Sequence, residues 1–133
     1  MLDWGVMSMI LTPRGPDATD LKLSGWHWRV IVEAIRDLAV LDDARVDGLH
    51  KAGVGALTQE EARSAAAGLR DRLLPTLAPG ERLLLNGEKT TEPDDQVFHR
   101  AREDQWRNYS TDLPTLTLFV EFCERSGGFS VRE

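Results

Sequence analysis

Three histidines and one cysteine are the side chains here best suited to metal binding, proton transfer or nucleophilic attack. His27, His50 and His99 stand far apart and form no H-x-x-x-H or H-E-x-x-H spacing. His99 and Glu103 lie one helical turn apart, but a useful zinc site takes three or four ligands and this pair supplies two. A charged surface pair is the expected outcome. His50 follows Asp42, Asp43 and Asp47 in a glycine-containing connector, and the uneven spacing of these acids does not match a calcium loop. A solvated loop is expected there. Cys123 falls in an apolar stripe beside Leu116, Phe119 and Val120, where a thiol packs as a small hydrophobe and does not react. As the single cysteine it also excludes an intramolecular disulfide and a cysteine-rich zinc site.

Gly53-Val54-Gly55 precedes a helix and so raises phosphate binding at a helix N-terminus. The full phosphate-loop and dinucleotide motifs are missing, and Glu60 and Glu61 put negative charge where a phosphate would sit. No G-x-S-x-G motif occurs either. These residues imply no catalytic set, no metal site and no cofactor. Aromatic residues next to arginines remain: Trp26, Trp106 with Arg107, and Tyr109. Tryptophan, tyrosine and arginine are the usual anchors of protein interfaces, and these four are the candidate partner contacts. The competing reading is that they line the core or cover its rim.

Trp26-His27-Trp28 gathers a histidine and two tryptophans at the start of an apolar run. Ser24 is placed to cap a helix over Trp26 to Leu41. On that helix the two tryptophans stand about 200° apart and form no common cage. Trp28 shares the core arc with Val30, Ile31, Ala34, Ile35, Leu38 and Leu41, while Arg29, Glu33, Arg36 and Asp37 lie opposite. Trp26 falls at the polar edge. His27 points into the apolar face in the first turn, where the helix dipole favours a neutral imidazole; a buried, hydrogen-bonded structural role is expected.

Other segments supply the frame for these residues. Gly5 to Pro13 reads as a strand ended by proline and a Gly/Pro turn. Asp42 to Ala56 is a connector with room for one short helical turn. Thr58 and Glu61 form a capping box for a helix that Pro75 stops, with Ala62, Ala65, Ala66, Leu69 and Leu73 as its narrow apolar stripe. Arg82 to Leu85 is a short strand before the Asn86-Gly87 turn. Acids at Glu92, Asp94 and Asp95 ahead of Arg100, Arg102 and Arg107 suit a helix dipole from Asp94 to about Tyr109. Thr111 or Asp112 caps the last helix, whose core face carries Leu113, Leu116, Leu118, Phe119, Val120, Phe122 and Cys123. Gly127-Gly128 closes it, and Phe129 to Val131 forms a final strand, a mate for the first.

With 133 residues, 41% of them hydrophobic, the chain has the makings of one domain, residues 1–133, with its own core. The expected fold is α+β: a mainly helical single domain of three or four helices with a small sheet from the terminal strands. The formal charge of -6 carries no basic block, which disfavours nucleic-acid binding; a basic protein partner is compatible with it. The N-terminal residues lack a basic signal-peptide region and no membrane-length apolar run occurs, so no membrane association and a cytoplasmic location are expected.

The segments "SGWHWRVIVEAI", "LTQEEARSAAAGLRDRLLP" and "FVEFCERSGGFSV" together resemble small bacterial proteins of unknown function. Those share a Gly-Trp helix and a Phe-x-x-Phe-Cys helix that runs into Gly-Gly-Phe. The resemblance spans roughly Leu21 to Val131 and implies no activity, cofactor or catalytic residue. The leading expectation is therefore a non-enzymatic, acidic, cytoplasmic protein that acts by binding another protein, of immunity, inhibitor or regulatory type, or by self-association. The alternative is a small-molecule or metal-binding protein, even an enzyme, that uses His50 or His99 with nearby acids.

Overall fold

The computed structural model describes residues 8–93 and 97–133, and the fold is α+β in a single domain. The Gly5–Met7 part of the expected first strand, and Asp94 and Asp95 of the expected helix start, lie outside the described residues. A four-stranded antiparallel sheet has the order β2-β1-β7-β3, from Leu21–Ser24, Ser8–Pro13, Gly128–Arg132 and Ala56–Thr58. The terminal strands pair as expected, with Leu11 opposite Val131. A second sheet, not expected as such, has the order β5-β4-β6: Lys89–Thr90, Arg82–Leu84 and Ser110–Asp112. Its β4–β5 hairpin turns at Asn86-Gly87, where the Asn86 side chain accepts from the Glu88 N–H and Gly87 sits at φ +89°.

Among the described residues, three of the four α-helices begin in the same way, directly from a strand whose last residue is the N-cap. Ser24 ends β2 and opens α1 (Gly25–Leu38), Thr58 ends β3 and opens α3 (Gln59–Gly68), and Asp112 ends β6 and opens α4 (Leu113–Arg125). An N-cap residue keeps extended backbone while its side chain accepts from the first turn, so it serves both elements. The capping box of Thr58 and Glu61 forms as expected. The connector holds more helix than one turn: Asp42 caps α2 (Asp43–Leu49).

Helix α1 stops before Leu41. Ala39 takes left-handed backbone at φ 57° and donates its N–H to the Arg36 carbonyl, while the Arg72 guanidinium donates to the Leu38 carbonyl. Helix α3 runs on into a π-helical turn, Leu69–Leu73, and a 3-10 turn, Leu74–Thr76, before the chain turns extended. Ala62, Ala65 and Ala66 are buried as expected, and the helix packs along α4.

The core lies between the four-stranded sheet and the helices. Trp28 meets Phe119 edge-on at 5.6 Å, and Phe129 of β7 meets both Phe119 and Phe122, so one aromatic chain ties α1, α4 and the sheet together. Leu118 is a correction: it sits on the solvent side of α4, 55% exposed, because the sheet and α3 cover a narrower arc of this helix than its apolar residues span. Residues 97–101 form no helix, and Arg102–Asn108 is a 3-10 segment, so the expected helix over Asp94 to Tyr109 is corrected as well. The stretch has no continuous apolar face to bury, and charge order alone does not hold a helix.

Candidate partner-contact site

Strand β6 runs beside the start of α1, and this placement builds the site. Tyr109, just before β6, stacks tilted on Trp26 with ring centroids 5.0 Å apart. Trp26 also meets Phe98 at 6.1 Å, and the Arg29 guanidinium lies 5.2 Å from the centre of the Tyr109 ring. Trp26 and Tyr109 are half-buried, while Phe98 is 48% and Val97 57% exposed. The loop that carries Phe98 is fixed through its backbone. Asn108 accepts from the His99 N–H at 2.7 Å and donates to the His99 carbonyl at 2.9 Å, as a neighbouring strand would.

Trp106 and Arg107 pair with each other, the guanidinium 5.2 Å from the indole, and Asp104 lies 3.7 Å from Arg107. Among the described residues no ring contact joins Trp106 to Trp26; the link is the Tyr109 N–H, which donates to the Trp106 carbonyl. The structure thus unites Trp26 and Tyr109 and leaves Trp106 with Arg107 as a flanking pair. It adds Phe98 and Arg29. Phe98 follows Val97 in an otherwise polar stretch, and periodicity placed Arg29 with the solvated residues of α1.

Beneath the aromatic patch His27 makes the expected hydrogen bond, although it is half-buried and not fully covered. Its Nδ1 lies 3.0 Å from Oγ1 of the buried Thr111, and burial lowers its pKa against the opposing pull of Asp112. Burial raises the Asp112 pKa, but the hydrogen bonds from Thr115, with His27, outweigh it and hold the carboxyl below its ordinary value. Cys123 is buried, which pushes its thiol far above the ordinary range and removes it from nucleophilic chemistry at neutral pH.

His50 is less isolated than its loop position suggested. Its Nε2 lies 2.7 Å from Oε2 of Glu33, and Arg36 joins Glu33, Asp43 and Asp47 through its own fork. Burial works against ionisation of Glu33, yet the hydrogen bonds from His50 and Arg36 together keep its pKa low. This network straps α1 to α2. Among the described residues no group of three or more His, Cys, Asp or Glu is arranged to hold a metal. His99 and Glu103 are not on a common helix, so their expected turn-to-turn pairing has no basis. Gly53-Val54-Gly55 lies along β7, with the Gly53 N–H on the Val131 carbonyl and the Val131 N–H on the Gly55 carbonyl, both at 2.8 Å. It extends the sheet and does not form an anion loop.

Comparison of the chain with protein-family models, with curated proteins and with solved structures finds no match. The resemblance to small bacterial proteins therefore stands on its sequence motifs alone. No helix among the described residues is long and apolar enough to cross a membrane.

Proposed function

We propose that this is a non-enzymatic, cytoplasmic protein that acts by binding another protein, in the manner of an immunity, inhibitor or regulatory protein. The reading is carried by one observation: an exposed Phe98 against Trp26, which itself stacks on Tyr109, in a loop whose backbone Asn108 already fixes. Exposed aromatic rings with adjacent arginine are the side chains that dominate binding energy at interfaces, and a pre-fixed loop loses little entropy when it docks. Arg29 on Tyr109, and Arg107 on Trp106, extend the same chemistry. Affinity capture from the native host with the intact chain and with Phe98→Ser tests it. A protein recovered by the first and lost with the second is expected; identical recoveries, or none, overturn the reading.

One contact favours a second reading, a small-molecule or metal-binding role for His50: the Glu33 carboxylate at its Nε2. Elemental analysis and a melting scan with and without zinc, repeated on His50→Ala, decide it. No bound metal and no shift in melting temperature remove its metal form.

A further inference from the structure

Leu118, Glu121, Phe122 and Arg125 follow one another at helical neighbour spacing and form one wall of a groove on α4. The opposite wall is the chain from Pro16 to Leu21, which leads into β2. The groove has a volume of about 380 Å³, and its apolar surface comes from Ala18, Leu21, Phe122 and the outward Leu118. β2 is the outermost strand of its sheet, so no strand among the described residues pairs with it beyond β1. Three acids, Asp17, Asp20 and Glu121, stand against the single cation Arg125. Asp20 is paired with Arg132 at 3.0 Å, while Asp17 and Glu121 are in no salt bridge among the described residues.

We infer that this groove docks an extended segment of a partner protein that carries a leucine-sized apolar side chain flanked by lysine or arginine. The apolar side chain covers Leu118 and Phe122, and the flanking cations meet Asp17 and Glu121. An open strand edge, here reached at Leu21, beside a groove with both apolar and charged walls is an arrangement that can take an added peptide: backbone pairing supplies affinity, and alternate side chains supply selectivity. The acidic rim, in a chain of net charge -6, selects the sign of the flanking residues. This surface is independent of the aromatic patch at Trp26, and either can fail without the other.

The test uses the full chain and two synthetic probes, an acetylated, amidated Lys-Leu-Lys-Leu-Lys peptide and its twin with glutamate for lysine. Binding is followed by amide chemical shifts and by titration calorimetry. The lysine peptide is expected to shift residues on both walls of the groove and the glutamate twin is not. Leu118→Ser is expected to weaken the lysine peptide about tenfold, since it removes an apolar side chain from the contact. Leu118 is mostly exposed, so this variant should fold and its melting curve serves as the control. Glu121→Lys should weaken binding as well, more strongly at low salt. Phe98→Ser should leave it unchanged. The inference is overturned by no binding, by equal binding of the twin, by an affinity indifferent to Leu118→Ser, or by shifts centred on Trp26 and Phe98.

Discussion

Replacing Trp28 by phenylalanine is expected to lower the melting temperature by about 11 °C, and the figure follows from two losses. The indole Nε1–H donates to the Leu49 carbonyl at 2.8 Å. That carbonyl stands in the last turn of α2, where helix geometry leaves carbonyls without an amide partner. The surroundings are buried: Leu49 and, one turn earlier in α2, Val46 are fully covered, and Trp28 is 2% exposed. Water has no ready route to replace the lost donor, and a buried acceptor left unpaired costs about 1–3 kcal/mol. The smaller ring also gives up two carbon atoms of contact with Phe119 and the α2 side chains, at ~0.8 kcal/mol each. Together these come to about 3 kcal/mol after partial relaxation of the site. For a chain of 133 residues, an unfolding entropy of about 2.1 cal/mol/K per residue converts that to about 11 °C. The assay is thermal melting followed by far-ultraviolet circular dichroism, paired with urea unfolding. The urea midpoint should fall with an unchanged slope, which marks a loss of stability without a change in surface exposed. A drop under about 3 °C, or roughly 1 kcal/mol, would refute the claim that this indole is both buried and the partner of Leu49.

Ala39→Gly should stabilise the chain by about 0.5–1 kcal/mol in urea unfolding, because relief of a left-handed Cβ, worth ~1–2 kcal/mol, exceeds the added freedom of glycine in the unfolded chain; a loss of stability would contradict the cap geometry. Gly128→Ala should cost more than about 2 kcal/mol or block soluble expression, since a Cβ there meets the Leu57 carbonyl oxygen at 2.7 Å with φ at +98°; unaltered melting would contradict the β3–β7 register. His27 has a folded pKa below the 6.5 of the free side chain, so as pH falls through that value the unfolded chain takes up a proton that the folded chain resists. Stability from this residue is present above pH 6.5 and declines below it toward the folded pKa. His27→Gln, which keeps a polar group toward Thr111 but does not titrate, should flatten the urea midpoint between about pH 7 and pH 5; parallel profiles for the two proteins would show that His27 does not carry this dependence.

Features that rest on a short window of sequence were legible in advance. Ser24, Thr58 and, of the two candidates Thr111 and Asp112, Asp112 each cap a helix through a side-chain oxygen and an amide three residues on, a contact that needs no other part of the chain. Trp28 and Cys123 were assigned to the core side by helical period alone, and the Gly127-Gly128 stop by the backbone freedom of glycine. The pairing of first and last strands was also foreseen, since each is an apolar run bounded by turn residues and the two had no other strong mate.

What the tertiary structure decided is what depends on partners distant in sequence. Ala56–Thr58 and Ser110–Asp112 are three residues each, too short to show alternation, and become strands only because β7 and β4 lie alongside. β6 in turn carries Tyr109 to Trp26 and Thr111 to His27, across more than eighty residues for the latter pair. Periodicity placed Leu118 inside and Glu33 outside. The limited width of the core left the first uncovered, and α2 brought His50 to the second. A helix's own pattern says which residues share a face, but only the packed neighbours fix how far around the helix that face is covered. The aromatic patch and the α4 groove both arise at the limits of that coverage.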